Sequence, residues 1–243
     1  MNKTIHYKWR IYFLLALFCF AEIIANAQDK KWNFNGSLGF GSSSIINMPS
    51  DIYNNGGENI QLGFLSEREI SSRFSFVSHV EIDWLVYSFD GYLQSNASNK
   101  SLTLIQAPAG TKYTEIHQLM ACGSLLCKYT LRGKTFKELD HDNGNSTQKG
   151  SLFVQAGLRL ASPFLSEYQC RIDNSDKSIS LNGYVNHLLF QTELSIGAKG
   201  ELNGVLSLLD SSTIGIIYQF NPIFNNDGVA KLCPAHFSWR FYF

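Results

Sequence analysis

Ionisable side chains occur at every second position in two stretches of this sequence. One stretch carries His79, Glu81 and Asp83, and the other carries Glu115 and His117. Alternate residues of an extended strand point to the same side, so each set shares one face. Carboxylates beside imidazoles can bind metal ions or exchange protons in acid–base catalysis. No tight metal motif such as H-E-x-x-H is present, which favours ion pairing over metal binding.

Other alternating stretches also carry charges near their middle, at Arg159, Glu193 and Arg240. Charged groups enclosed by a small closed sheet must pair with one another, because burying an unpaired charge is costly. We therefore predict a structural polar network inside the fold rather than a catalytic or metal site. Its predicted members are Glu81, Asp83, Glu115, His117, Arg159, Glu193 and Arg240.

The cysteines give a weaker signal. Cys122 and Cys127 are an odd number of positions apart on one predicted strand, so they face opposite sides and cannot bond to each other. The sequence has no C-x-x-C, which argues against zinc or thioredoxin-like chemistry. Cys170 and Cys233 fall in or beside predicted long loops, and we predict a disulfide between them, with free thiols as the alternative. No cofactor is expected.

Enzyme motifs are also missing from the sequence. There is no G-x-S-x-G, and the glycines at 36, 39 and 41 lie within a predicted strand rather than before a helix, unlike a phosphate loop. Asp90 and His187 are the acid and the histidine nearest to predicted loops. They are the candidates if the protein acts as an enzyme on lipid or peptide. We predict that it is not an enzyme and keep this activity as the alternative.

The N-terminus has the pattern of a cleavable signal peptide. Basic residues precede an apolar run from Ile11 to Ala21, and Ala25-Asn26-Ala27 supplies a small-x-small cleavage site. The run is too short to span a bilayer, which takes about 20 residues. We predict a signal peptide at 1–27 and a single domain at 28–243.

The composition narrows the class of protein further. Of the 243 residues, 44% are hydrophobic, 14% are aromatic and 16% are charged, which excludes a disordered chain. The 20 basic residues balance 20 acidic ones, so charge gives no support for nucleic-acid binding. Soluble domains average about 25% charged residues. The low value suggests that something other than water covers part of the surface.

The elements that would position these residues are predicted to be strands. Strong apolar–polar alternation begins near Trp32, Phe74, Leu152, Leu188 and Phe237. Less regular segments near 59–66, 112–130 and 205–221 raise the number of predicted strands to eight. Short turns near 67–72 and 199–204 alternate with long loops near 44–58, 90–111, 163–184 and 222–232. The connection near 131–150 is long where a short turn is expected.

An even number of strands with alternating short and long connections is typical of an outer-membrane barrel. The predicted strands are longer than those of most globular sheets and carry charges on one face. We therefore predict an all-β fold, an eight-stranded antiparallel up-and-down transmembrane β-barrel. A secreted, lipocalin-like binding barrel is the alternative, because alternation alone does not say which face meets water.

The C-terminal strand shows alternation most clearly. Phe237, Trp239, Phe241 and Phe243 occupy alternate positions at the end of the chain, which resembles the insertion signal of outer-membrane β-barrel proteins. The segments Tyr113-Thr114-Glu115-Ile116-His117 and Phe153-Val154-Gln155-Ala156-Gly157 resemble strands four and five of the PorT-like outer-membrane β-barrel family. That family has a "Y-L-E-I-P" strand followed by a "Y-x-x-A-G" strand, and here Thr114 and His117 depart from the pattern.

The resemblance implies an eight-stranded barrel in the cell outer membrane but no single function. We expect a side-chain-filled lumen, long extracellular loops and a structural, adhesive or secretion and assembly accessory role. The expected partners are outer-membrane lipid, the barrel-assembly machinery during insertion and a protein bound through the extracellular loops.

Overall fold

The computed structural model describes residues 32–96, 101–132, 150–200, 210–225 and 231–243, and residues 34–243 belong to one compact unit. The predicted signal peptide lies outside the described residues. Eleven strands are present in the described chain. They are β1 (Trp32–Ile45), β2 (Asn54–Glu69), β3 (Phe74–Phe89), β4 (Gly91–Asn96), β5 (Ser101–Gln106), β6 (Thr111–Arg132), β7 (Ser151–Ile172), β8 (Ser175–Ser180), β9 (Leu189–Lys199), β10 (Ser211–Gln219) and β11 (Pro234–Tyr242).

The strands confirm the prediction of an all-β antiparallel fold. Nine of them form one sheet in the order β6-β3-β2-β1-β11-β10-β9-β7-β8, and β6 also pairs with β7. The pairings therefore return to their start through β1, β2, β3, β6, β7, β9, β10 and β11, a set called the ring below. Each ring strand pairs with the ring strands before and after it in sequence, and β1 pairs with β11.

Within most of the ring, polar residues face inward and apolar residues face outward. On β9, Glu193 and Ser195 are 1% and 4% exposed, whereas Leu194 between them is 62% exposed. On β2, Gln61 is 1% exposed and Phe64 is 75% exposed. This is the reverse of a water-soluble sheet, whose apolar side chains form the core and whose polar ones meet water.

The pattern inverts along β6 and β7 near Leu119 and Leu165. From this level toward the end that carries Leu131 and Leu152, the outward residues of both strands are mostly apolar. Toward the opposite end, described below as beyond Leu119 and Leu165, the outward residues include His117 and Glu115 on β6 and Glu167 on β7. The inward residues at this end are mixed, with the apolar Ile116, Tyr168 and Cys170 beside the buried polar Thr114, Gln118 and Ser166. The inversion is therefore one of the outward face, which is polar beyond Leu119 and Leu165.

Parts of two predicted long loops are strands instead. The segment predicted as a loop at 90–111 contains the β4–β5 hairpin, and the one at 163–184 contains the end of β7 and all of β8. A bulge explains part of the difference, because Phe164 and Leu165 are both exposed in succession and interrupt the alternation. None of the described residues belongs to a helix long and apolar enough to cross a membrane.

Candidate functional site: an interior ion-pair cluster beneath an apolar cap

Five charged residues from four ring strands meet in the interior. Arg159 Nη2 lies 2.7 Å from Glu81 Oε1 and also contacts the Asp83 carboxylate. Arg240 Nη2 lies 3.1 Å from the same Glu81 oxygen, and its Nη1 contacts the Glu193 carboxylate. All five side chains belong to residues that are at most 2% exposed. We call this set the ion-pair cluster, and it joins β3, β7, β9 and β11 across the ring.

Uncharged and histidine side chains complete the cluster. Gln61 accepts a hydrogen bond from Arg240 Nε at 2.9 Å and donates one to Asp83 Oδ2 at 3.3 Å. His79 Nδ1 lies 3.4 Å from Glu81 Oε2, and its Nε2 lies 2.7 Å from the Ser37 hydroxyl. The alternation of the sequence predicts that His79 and Glu81 share a face, but Gln61 was not predicted. The one sequence feature that points to Gln61 is its position between Ile60 and Leu62, as a polar residue in an alternating pattern.

Inward glycines leave space for these long side chains. A Cβ added at Gly39 would lie 2.8 Å from Gln61 Oε1 and 2.9 Å from Arg240 Cγ. A Cβ at Gly63 would lie 2.6 Å from the Glu81 Cβ. Both distances are too short for ordinary contacts, so glycine at these positions is part of how the ring accommodates the cluster.

Two residues predicted for the interior network lie on the opposite face. Glu115 and His117 point outward, with His117 Nε2 3.0 Å from Glu115 Oε2 and its ring 6.2 Å from the ring of Trp84. Their inward neighbours are Thr114, Ile116 and Gln118. The prediction was wrong because it treated polar positions as inward along all of β6, whereas the pattern inverts before these residues.

The predicted disulfide is also absent from the structure, where Cys170 and Cys233 are free thiols. Cys170 is a buried inward residue of β7 that pairs with Thr114, not a loop residue. Cys233 precedes β11, and the ring places β9 and β10 between β7 and β11. Cys122 is buried and Cys127 is exposed on β6, as their odd spacing requires.

An apolar cluster, called the cap, lies at the end of the ring where the long connections meet. Three ring aromatics, Tyr87, Phe89 and Tyr168, are each at most 1% exposed within it. All four connections at this end contribute buried apolar residues, namely Ile52, Leu93, Leu102, Leu181, Val185, Ile223, Phe224 and Leu232. The cap therefore packs the connections onto the ring rather than leaving them loose above it.

The C-terminal residues lie as the alternation predicts. Phe237, Trp239 and Phe243 are 42–62% exposed on the outer face, and Phe241 packs against Trp239 with ring centroids 4.8 Å apart. The inward residues of β11 are the buried His236, Ser238, Arg240 and Tyr242. Phe243 and Gly36 exchange main-chain hydrogen bonds of 3.1 and 2.9 Å, which join the end of the chain to β1.

The chemistry of the ion-pair cluster favours structural stabilisation. Arginine keeps its proton at any physiological pH, so each guanidinium holds the carboxylates without exchanging protons with a substrate. Among the described residues, no group of three histidine, cysteine or acidic side chains is arranged to hold a metal ion. Asp90 and His187 are the two candidates for a catalytic role. Asp90 directly follows β3 and His187 precedes β9, so strands β6 and β7 of the ring lie between them.

Comparisons with known proteins add little to this geometry. No family model and no curated protein matches the chain, so membership of the PorT-like family stays a prediction. Neisserial surface protein A is 11% identical with a TM-score of 0.37, over 88% of this chain and 98% of that one. A triple mutant of the Rhodopseudomonas blastica porin is 8% identical with a TM-score of 0.17, over 87% and 100% of the two chains. At such values, the fold rests on this chain's own strand pairing and burial.

Proposed function

We propose that the protein is an eight-stranded antiparallel up-and-down transmembrane β-barrel of the cell outer membrane. The inversion along β6 and β7 carries this proposal, because it marks where a lipid-covered surface gives way to a water-covered one. An apolar outer face around polar interior residues suits lipid and leaves a large patch that soluble monomers rarely expose. The pairing of each described ring strand with two neighbours supports the proposal, because a spanning sheet can leave no strand edge in the hydrocarbon.

The length of the apolar outer surface, called the belt, supports the same proposal. At about 3.4 Å per residue and a tilt of about 40°, β6 rises roughly 31 Å between Leu119 and Leu131. The hydrocarbon core of a bilayer is about 30 Å thick. Outer-membrane barrels have short periplasmic turns and longer extracellular loops. The end of the ring that carries the long connections and the cap therefore projects outside the cell, and both termini face the periplasm.

The role that fits this architecture is anchoring and display rather than transport. The ion-pair cluster fills the ring at mid-height, and the cap fills its outer end. A cavity of about 10 Å³ near Glu67, Lys128 and Tyr242, at the other end, has room for about one water. We propose a structural, adhesive or secretion and assembly accessory whose packed outer end recognises a protein partner.

Conductance in planar bilayers tests whether the lumen is filled. The purified full chain should insert without giving ion-conducting steps, because arginine–carboxylate pairs and apolar side chains occupy the interior. Insertion is checked separately by heat-modifiable migration of the reconstituted sample on a gel. A stable, voltage-independent current from properly inserted protein would contradict the filled lumen and favour a transport function.

A further inference from the structure

Strand β8 stands at the end of the main sheet, and one of its edges pairs with no described strand. In the part of the chain that the structure describes, β8 pairs with β7 alone, over Glu167–Ile172. Five of its six residues are exposed and Ile179 is half-buried, so no described element covers the strand. The strand lies beyond Leu165, where the outer face is polar, and thus outside the proposed membrane span.

The hydrogen-bond pattern shows which main-chain groups face the free edge. The Leu181 amide donates to the Ser166 carbonyl at 2.8 Å, and these residues continue the β7–β8 register. In an antiparallel pair, hydrogen-bonded and non-hydrogen-bonded residues alternate. Lys177 and Ile179 therefore direct their main-chain groups to β7, whereas Asp176, Ser178 and Ser180 direct theirs away from it. The free edge offers three donors and three acceptors in strand geometry.

Exposed side-chain contacts connect this edge to its neighbours. Arg171 binds Asp176 through two hydrogen bonds of 2.6 and 2.7 Å, and its guanidinium lies 5.7 Å from the Tyr113 ring. The bond from Arg171 also lowers the pKa of Asp176. Lys112 Nζ contacts the Asn174 side chain at 3.1 Å on the adjoining turn. The strand is ordered mainly by its main-chain pairing with β7 over six residues, so less conformational entropy is lost when another strand pairs with it.

The charged groups beside the edge on the outward face are the Arg171–Asp176 ion pair, whose charges balance, and the carboxylate of Glu167. The Ser178 hydroxyl donates a short hydrogen bond to Glu167, which also accepts one from Gln169 at 3.3 Å. These bonds lower the pKa of Glu167 and keep it ionised. A lysine or arginine placed opposite Ser178 on an added strand is long enough to reach this carboxylate.

We propose that the free edge of β8 binds an extended, basic segment of a partner protein as an additional antiparallel strand. Main-chain hydrogen bonds to Asp176, Ser178 and Ser180 supply the binding, and Glu167 selects basic side chains. A second copy in the same membrane fits poorly. Copies related by an axis along the membrane normal cannot bring strands inclined about 40° to it into antiparallel pairing. The inference rests on the proposed recognition role and names its site and partner class.

Amide hydrogen exchange on the full chain in detergent micelles tests the proposal. Without ligand, the amides of Asp176, Ser178 and Ser180 should exchange fast and those of Lys177 and Ile179 slowly. A short synthetic peptide of alternating lysine and valine should then protect the first three. A glutamate–valine peptide should bind at least about tenfold more weakly, because it repels Glu167. Heat-modifiable migration of the same sample reports separately whether the barrel itself is intact.

A proline variant tests the free edge directly, and an alanine variant at the same position is its control. Ser178→Pro removes a donor that faces away from β7 and leaves the β7–β8 pairing intact, and proline is tolerated at such edge positions. It should weaken lysine–valine peptide binding about tenfold or more, whereas Ser178→Ala, which retains the amide, should retain protection of all three amides. Slow exchange of the edge amides in the free protein, no protection at millimolar peptide, or equal binding by Ser178→Pro would overturn the proposal.

Discussion

Replacing Arg240 with methionine should lower the free energy of unfolding by about 3–5 kcal/mol, the cost of breaking a buried ion pair from one side. Arg240 contacts Glu81, Glu193 and Gln61, and all three are buried. In the variant, Glu193 loses the arginine that it contacts. Arg159 is then the one arginine left in the ion-pair cluster, beside three carboxylates. Urea titration of the protein in lipid vesicles measures the change.

Two further variants separate loss of the ion pair from general damage. Arg171→Met breaks an exposed ion pair with Asp176 and should change stability little, because solvent screens it. Adding Glu193→Gln to Arg240→Met should recover part of the loss, since the orphaned charge disappears with its partner. A loss below about 1 kcal/mol for Arg240→Met would show that the cluster does not stabilise the ring.

Deleting Phe241–Phe243 should leave a chain that is exported but absent from the outer membrane. The deletion removes the pairing of Tyr242 with Ser37 and Ser211, and the main-chain bonds between Phe243 and Gly36. The junction of β1 and β11 would then expose unpaired main-chain groups, which lipid does not tolerate. Immunoblots of membrane and periplasmic fractions measure the outcome, which we expect to be periplasmic degradation or aggregation.

The control for the deletion keeps the backbone and changes one outward side chain. Phe237→Leu retains every main-chain bond of β11 and an apolar group on the outer face, so it should accumulate at nearly normal levels. Outer-membrane amounts of the deleted chain equal to those of the intact one, with unchanged heat-modifiable migration, would contradict the role of the terminal strand.

Alternation predicts the ring well because one physical rule applies along most of its length. Inward polar and outward apolar positions repeat with a period of two, so five of the seven predicted network residues could be chosen from the sequence. Gln61 and Gly39 were missed because neither a lone amide nor a glycine shows which long side chain lies beside it. That information comes from the register between strands, which depends on turn geometry as well as on the alternation within any one strand.

The outer end of the molecule was harder to predict for a different reason. Beyond Leu119 the outward residues of β6 are polar, so polar positions no longer mark the interior, and Glu115 and His117 were assigned to the wrong face. The cap residues come from connections distant in sequence, and a single apolar residue such as Leu93 or Leu181 gives no local periodic signal. The predicted Cys170–Cys233 disulfide was wrong because β7 continues through the segment that was predicted to be a loop, so Cys170 is a strand residue.

The most direct test of the central claim is whether the belt contacts lipid, and Cys127 provides the probe. It lies exposed on the outer face of β6 between Leu125 and Leu131, while Cys122 on the same strand is buried inside. A spin label at Cys127, with the other cysteines changed to serine, is measured in lipid nanodiscs by power saturation. We expect strong relaxation by oxygen and almost none by a water-soluble nickel complex. Strong relaxation by the nickel complex would place the belt in water and contradict the transmembrane barrel.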